Sequence, residues 1–217
     1  AFAGPHIGDL EHVSAYERFC AEAERFERLF HAAPQIAAHD LHPEFLSTRY
    51  ARERGIPCIA VQHHHAHLCS VLAEHGRTER SIGAAFDGYG MGPGGEAWGG
   101  EFMAFDLSGF ERIGHLAPMR APGGDAAARR PSRMAYSALA LAFGAQGADE
   151  WAERLALGLG LEERRMLRQM LDGGAAAPPT SSAGRLFDAA SAILGLCHEN
   201  RYEGQAPMEL ESLAGLA

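Results

Sequence analysis

Two histidines four residues apart are the side chains best placed to do chemistry in this sequence. His63 and His67 stand in V-Q-H-H-H-A-H, directly after the apolar run P-C-I-A-V, and Gly76 closes the segment. Because glycine often follows the last turn of a helix, we predict a strand that leads into a helix ending near Gly76. Residues i and i+4 share one helix face, so both imidazoles can reach a single metal ion. The spacing permits a metal site without demanding one, since a histidine-rich helix start can also simply be solvated.

Other polar residues near this helix have less certain roles. His64 and His65 point to other faces of the helix, and we predict that they serve in packing or as supporting groups. His39, Asp40 and His42 follow a short predicted strand. Ligands often bind where a parallel strand leaves its sheet, but these three residues could equally belong to an ordinary surface loop.

A glycine-dense loop is the second feature that could bind a ligand. The predicted strand S-I-G-A-A-F-D runs into G-Y-G-M-G-P-G-G and returns as a second strand. Glycine lets the backbone approach a phosphate closely, although glycine-rich hairpins are also simply turns. Asp87 stands at the end of the first strand, where its carboxylate could bind a metal-bound water or order the loop.

The elements around these residues predict an α/β protein. Two strand–helix units in succession, strands 35–39 and 56–61 with a helix at 44–54, favour a parallel sheet. A first helix over residues 10–31 carries an aromatic stripe that we expect to face a core. Beyond residue 121 the pattern is largely helical, with a linker expected at 172–182 and helices at 131–143, 150–158, 161–171, 184–196 and after the glycine turn at 202–211.

Composition excludes several classes of function. The net charge of −9 argues against a nucleic-acid binder, which needs a basic face to neutralise phosphates. All nineteen basic residues are arginine, which excludes a P-loop lysine or a Schiff-base lysine. No apolar run is long enough to span a bilayer, and no secretory signal pattern opens the chain. With four cysteines and no C-x-x-C motif, we expect reduced thiols and a cytoplasmic location.

Seven blocks of sequence together resemble the HypF family, the carbamoyltransferases of [NiFe]-hydrogenase maturation. The blocks are G-P-H-I-G-D-L, H-D-L-H-P-E-F-L-S-T-R-Y-A, V-Q-H-H-H-A-H, F-D-G-Y-G with W-G-G-E-F, P-G-G-D-A-A-A-R-R-P, S-S-A-G-R-L-F-D-A and Y-E-G-Q-A-P-M-E-L-E. The resemblance implies an actin/Hsp70/sugar-kinase-like fold, with a mixed sheet, flanking helices and a helical insertion. It also implies a partial carbamoyltransferase domain, truncated at both ends. Residues 1–120 would form an α/β first lobe, and residues 121–217 a largely helical part that contacts nucleotide.

The same resemblance implies a set of site residues. One divalent metal ion, iron or zinc, would be held by His63 and His67, with a further aspartate ligand beyond the end of this chain. Asp87 would be the catalytic residue. Residues implied to bind nucleotide or carbamoyl-adenylate are Asp87, Gly88, Gly90, Asp125, Arg185, Asp188, Gly204 and Glu209.

The reaction that the resemblance implies is transfer of a carbamoyl group. Carbamoyl-adenylate, made from carbamoyl phosphate and ATP, would donate it to the C-terminal cysteine of the partner protein HypE, for the cyanide ligands of the [NiFe] centre. Alternatives are an O-carbamoyltransferase that acts on a small molecule, and a non-catalytic fragment that docks a partner. A plain zinc hydrolase is disfavoured because His64, and not a glutamate, follows His63.

Overall fold

The computed structural model describes residues 2–174 and 176–215 and opens with an α/β part. Its strands β1 and β2 pair in parallel, with Asp40 opposite Val61. The parallel pairing predicted from the two strand–helix units is therefore confirmed, and both strands end at one edge of their sheet. The elements of this part are α1 Val13–Leu29, β1 Ala37–Asp40, α2 Leu46–Glu53, β2 Cys58–Val61 and α3 His63–Glu74.

A second sheet is mixed, as the sequence predicted. Its strands are β3 Ser81–Met91, β4 Ala97–Asp106, β5 Gly109–His115, β6 Met119–Arg120 and β7 Pro179–Thr180. They lie in the order β3-β4-β7-β6, with β5 also paired to β4. The β4–β7 pair is parallel and the other pairs are antiparallel. Residues 172–182 were expected to form a linker, and Ala175 of this segment lies outside the described residues. The expectation was wrong for the end of the segment, because β7 lies there.

The remaining helices form most of the second half of the chain. They are α4 Asp125–Arg129, α5 Pro131–Arg154, α6 Leu161–Gly173, α7 Ala183–Ile193 and α8 Gln205–Ala214. Their largest core is built on the buried side chains of Tyr136, Leu139, Leu157 and Leu167. Two helices predicted at 131–143 and 150–158 are the arms of α5, which bends at Gly144 because that residue has φ 75° and ψ 173°. The division of the chain into a first lobe, residues 1–120, and a largely helical part, residues 121–217, stays a prediction.

The first helix is less buried than its sequence predicts. No residue of α1 is buried, and Val13 is 74% exposed, so the aromatic stripe does not face a closed core within the described residues. α1 packs against α2 and the residue that follows it instead. Phe19 meets the Tyr50 ring edge-on at 5.1 Å, and Glu27 forms an ion pair with Arg54.

Two features of the structure bear on the cellular location that the sequence predicts. All four cysteines are free thiols, in agreement with the absence of a C-x-x-C motif. Among the described helices, none has both the length and the apolar character needed to cross a bilayer. The cytoplasmic location itself stays a prediction.

Candidate active site

Three side chains from two elements converge on one point at the carboxyl edge of the first sheet. His63 and His67 project from α3, and Asp87 faces them from β3. The two Nε2 atoms are 3.1 Å apart, and Asp87 Oδ2 lies 2.9 Å from His63 Nε2 and 3.7 Å from His67 Nε2. Ligand atoms that surround one tetrahedral zinc ion are separated by about 3.3 Å. These three atoms are therefore spaced so that they could all bind one metal ion. The structure also brings the side chains of His63 and His67 together, as the sequence predicted.

The start of α3 is fixed by Gln62, which the sequence did not single out. Its Oε1 accepts a hydrogen bond from the backbone N–H of His65 at 2.8 Å, which caps the helix. Its Nε2 donates to the carbonyl of Met91 on β3 at 3.1 Å and lies 3.0 Å from His64 Nδ1. The side chains of His64 and His65 are buried, so their predicted packing role is confirmed. Gln62 thus anchors the histidine helix to the strand that carries Asp87.

Asp40 orients His63 from behind. Its Oδ2 lies 2.6 Å from His63 Nδ1, which leaves His63 Nε2 directed at Asp87. Metal-binding histidines commonly donate their second ring N–H to a carboxylate, an arrangement that fixes the tautomer and the ring orientation. From the sequence, Asp40 could have been a surface loop residue. Its place at the end of a strand was the available signal, and the structure makes it part of the site.

Asp87 lies in an irregularity of the β3–β4 ladder. The register shifts between Phe86 and Gly90, and such bulges often re-aim a side chain next to an active site. The sequence placed Asp87 at the end of its strand, but β3 continues to Met91, and Asp87 Oδ1 accepts a hydrogen bond from the N–H of Gly88 at 2.6 Å within the bulge. Asp87 Oδ2 is sealed from solvent and makes no well-aligned hydrogen bond, although His63 Nε2 is close. A buried carboxylate oxygen without a full partner, facing two imidazoles, fits a cation.

The charges of the site favour a positive group between its carboxylates. The nearby carboxylate of Asp87, together with that of Asp40, outweighs burial and raises the pKa of His63 to about 9. Burial and the neighbouring charge of His63 lower the pKa of His64 to about 4, so that ring stays neutral. Although burial acts against it, the nearby His63 ring and the hydrogen bond from the Gly88 N–H lower the pKa of Asp87. Without metal, a proton on His63 occupies the place that a cation would take.

The metal-free protein should therefore lose stability as the pH rises. The pKa of His63 is about 9 when folded against about 6.5 when unfolded, so its contribution is complete below about pH 6.5. We expect the free energy of unfolding to fall by about 2–3 kcal/mol as the pH rises through 9, measured by urea denaturation with a chelator present. His63→Gln should remove this slope, whereas His75→Gln, at an exposed position after α3, should keep it. Parallel curves for the wild type and His63→Gln would contradict the assignment.

Gly90 serves the site by letting α3 approach β3. A Cβ atom at this position would lie 2.5 Å from His64 Cε1, 2.7 Å from His63 Cδ2 and 2.8 Å from His63 Cβ. The histidine helix must therefore move away if this residue gains a side chain. Contact of Gly90 with an adenylate stays a prediction.

We expect Gly90→Ala to reduce stability by about 1–3 kcal/mol, because a methyl group overpacks the contact between α3 and β3. It should also weaken metal binding, since the displaced helix carries both histidines. Gly88→Ala is the matched control, because a Cβ at Gly88 meets no atom within 4 Å. Denaturation curves and metal titrations of both variants check this, and equal effects of the two substitutions would contradict it.

Apart from Asp87, Gly88 and Gly90 on β3, the residues implied to bind nucleotide lie on other elements. Arg185 Nε donates to Asp188 Oδ2 at 2.7 Å on α7, and Asn200 Nδ2 donates to Asp188 Oδ1 at 3.3 Å. Asp188 is completely buried, and burial raises the pKa of its carboxyl although Arg185 and Asn200 oppose this. Its oxygens already have partners inside the protein. A direct contact with a ribose stays a prediction, and the visible role of Asp188 is to hold Arg185 and Asn200.

Of the other three predicted residues, Gly204 and Glu209 lie near Asn200, whereas Asp125 lies on a different helix. Gly204, with φ 76°, precedes α8, and Glu209 on α8 accepts a hydrogen bond from Gln205 at 2.8 Å. Asp125 is exposed at the start of α4, and its charge helps to raise the pKa of Tyr89, after the main effect of burial. Two separate clefts open at the histidine pair and at the nucleotide residues. One of about 440 Å³ is lined by His63 and His67 among others, and one of about 680 Å³ by Asn200, Gln205 and Glu209 among others.

Comparison with protein families gives matches over most of the chain. Residues 1–74 match the HypF Kae1-like domain. Residues 83–217 match the second subdomain of the carbamoyltransferase Kae1-like domain. A Kae1-like domain implies the actin/Hsp70/sugar-kinase-like fold that the sequence predicted.

Individual relatives agree with the family matches. The chain is 45% identical to carbamoyltransferase HypF2 of Cupriavidus necator, over 99% of this chain and 26% of that protein. It is 42% identical to carbamoyltransferase HypF of Rhodobacter capsulatus, over 99% of this chain and 29% of that protein. The chain therefore spans about a quarter of the length of these relatives.

Two solved structures share the fold. HypF of T. kodakarensis superimposes with a TM-score of 0.89 at 29% identity, over 98% of this chain and 29% of that one. A full-length HypF, crystallised in a phosphate- and nucleotide-bound form, gives a TM-score of 0.87 at 38% identity, over 96% of this chain and 27% of that one. Family matches, relatives and fold agree, and the chain belongs to the HypF carbamoyltransferase family as its Kae1-like domain.

Proposed function

We propose that this chain carries the carbamoyl-transfer site of a hydrogenase maturation protein. The carbamoyl group would pass from carbamoyl-adenylate, made from carbamoyl phosphate and ATP, to the C-terminal cysteine of HypE in the cytoplasm. The observation that carries the proposal is the convergence of His63, His67 and Asp87, with Asp40 behind His63, in a chain of the HypF family.

His63, His67 and Asp87 would hold one divalent ion. Two imidazoles and a carboxylate suit zinc and iron alike. When bound, such an ion supplies Lewis acidity for a carbonyl or phosphate oxygen of the substrate. The fit is supported by the spacing of the three ligand atoms and by the unpartnered Asp87 Oδ2. A further aspartate ligand from beyond this chain remains part of the proposal.

The transfer step itself needs little from the protein beyond positioning of the two reactants. The thiolate sulfur of HypE forms a bond to the carbamoyl carbon, and the bond from that carbon to the adenylate phosphate oxygen breaks. AMP leaves with that electron pair, and the thiol proton passes to solvent before the attack. Because the leaving group is good, no nucleophile from this chain is needed. Asp87 acts by holding the site together, and positioning of this kind can supply a large part of a rate enhancement.

The nucleotide would be bound on the α7 and α8 side. Arg185, Gly204 and Glu209 are the proposed contacts, together with Asp125, while Asp188 supports Arg185 from inside. On β3, Gly88 and Gly90 are the proposed contacts with the adenylate. The N–H of Gly88 is already given to Asp87, so Gly88 would contact the adenylate through its Cα surface.

The test is to supply the protein with carbamoyl phosphate, ATP and HypE, and to follow carbamoylation of the HypE C-terminus by mass spectrometry together with AMP release. We expect one carbamoyl group per HypE with the wild type and none with the His63→Ala/His67→Ala variant. Carbamoylation of a small hydroxyl compound, with HypE unmodified, would instead identify an O-carbamoyltransferase. Binding of HypE without transfer, under conditions where another HypF is active, would indicate a docking module and overturn the proposal.

A further inference from the structure

We propose that Ser182 is a positioning residue that holds the Asp87 carboxylate towards the histidine pair. This inference rests on the proposed metal site and assigns a role to a residue outside it. Ser182 is separated from Asp87 by 95 positions in the chain. Its effect would be exerted through the backbone of the β3 bulge.

The hydroxyl of Ser182 makes contacts on two elements at once. Its O–H is within hydrogen-bond distance of two carbonyl acceptors, that of Gly88 at 2.7 Å and that of Asp87 at 3.1 Å. The Oγ of Ser182 accepts a hydrogen bond from the N–H of Arg185 at 3.1 Å, which caps α7. Ser182 is only 2% exposed, so water cannot readily replace these contacts. One hydroxyl thus joins the start of α7 to the bulge.

The geometry of one peptide unit transmits this contact to the carboxylate. The carbonyl of Asp87 and the N–H of Gly88 are opposite ends of the same planar group. Ser182 contacts the carbonyl end, and the N–H end donates to Asp87 Oδ1 at 2.6 Å. Fixing the first end fixes the direction of the second. The orientation of the Asp87 carboxylate, and with it the aim of Oδ2 at His63, therefore depends on Ser182.

Two glycines show how tightly this region is packed. A Cβ at Gly99 on β4 would lie 2.6 Å from the Asp87 carbonyl oxygen and 2.8 Å from Ser182 Cα. A Cβ at Gly184 in α7 would lie 2.9 Å from Gly88 Cα. The bulge is therefore held between β4 and the start of α7 at backbone contact distance. Water is therefore poorly placed to replace the Ser182 hydroxyl, and its removal leaves the carbonyl groups of the bulge without this partner.

The experiment compares Co²⁺ binding by the metal-free chain and its variants, because the visible spectrum of Co²⁺ reports its ligands. Ser182→Ala and Ser182→Gly should bind Co²⁺ about 10–100-fold more weakly, the range found when a supporting partner of a ligand is lost. Their spectra should also differ from that of the wild type. Ser182→Thr, which keeps the hydroxyl, should restore both properties. Glycine caps helices nearly as well as serine. Ser182→Gly therefore removes the contact with the carbonyls of Asp87 and Gly88 while largely preserving the cap of α7.

Ser191→Ala is the matched control. Ser191 lies on the same helix, is completely buried, and its Oγ has no hydrogen-bond partner among the described residues. We expect wild-type affinity and spectrum from this variant. If Ser182→Gly binds Co²⁺ as the wild type does, Ser182 is a helix cap alone and this inference is overturned while the metal site stands. If the wild type binds no Co²⁺, or binds it unchanged in the His63→Ala/His67→Ala variant, the metal site itself fails and this inference fails with it.

Discussion

Replacing His63 and His67 together with alanine is expected to abolish stoichiometric binding of Zn²⁺ or Fe²⁺ by this chain. The double variant retains one of the three ligand atoms that converge on the site, the Oδ2 of Asp87. Loss of a single supporting partner behind a ligand already costs about 10–100-fold in affinity, so we expect the loss of two ligands to exceed about 100-fold. His63→Ala also removes the stabilising interaction of His63 with Asp87 and Asp40, so metal binding is compared at a temperature where circular dichroism shows both proteins folded.

The measurement is metal content after dialysis, together with titration of the metal-free protein. His75→Ala is the control, since His75 follows the same helix at an exposed position and is not part of the cluster. It should retain about one ion per chain. Metal that remains bound at wild-type affinity in the double variant would show that the histidine helix is structural and that the proposed mechanism is wrong, even though the family assignment would stand.

The sequence revealed the histidine pair because the information is local. Four residues of helix bring His63 and His67 to one face whatever the rest of the chain does, and P-C-I-A-V before them predicted the strand. Asp87 was identified as a residue at the end of a strand. Its approach to within 3 Å of His63 depends on the bulge in β3, which no short-range pattern encodes.

Residues that support the site were harder to predict. Asp40 lies 23 positions from His63, and Ser182 lies 94 and 95 positions from the two carbonyls that it contacts. Such pairs form only when sheets and helices pack together. Serine before a helix is an ordinary capping signal, but Ser182 was assigned to the expected linker, and no local pattern encodes its contact with β3. The same limit applies to β7, whose two residues carry no strand pattern of their own.

The clearest case is a buried ionic network around Glu101, which the sequence presents as an ordinary strand residue. Glu101 is completely buried on β4. Its Oε2 accepts from Arg112 Nε at 2.6 Å, and its Oε1 accepts from the N–H groups of Gly99 and Gly100 at 3.0 and 3.1 Å. The Arg112 guanidinium also lies 4.0 Å from the centre of the Trp98 ring. Burial acts to raise the pKa of Glu101, but these partners outweigh it and lower that pKa, so the carboxylate stays ionised.

Glu101→Ala is therefore expected to be strongly destabilising, by about 3–5 kcal/mol, because removing one member of a buried pair leaves the other without compensation. Two backbone N–H groups would also lose their acceptor in a buried place. For a chain of this size the melting temperature should fall by about 10 °C, to be measured by calorimetry or by circular dichroism.

Glu111 offers a matched comparison on the neighbouring strand. It pairs with Arg80 at 3.3 Å, but the two side chains are 70% and 63% exposed, so solvent screens the pair and Glu111→Ala should change stability by less than about 0.5 kcal/mol. Both substitutions delete a glutamate that pairs with an arginine, and they differ mainly in burial. Ser181, next to β7, also belongs to the network, because its Oγ donates to Glu101 Oε1 and accepts from Arg112. Equal effects would mean that this network does not hold β4, β5 and Ser181 together. A large difference would show that this network, rather than strand propensity, keeps β4 in place beside the bulge that carries Asp87.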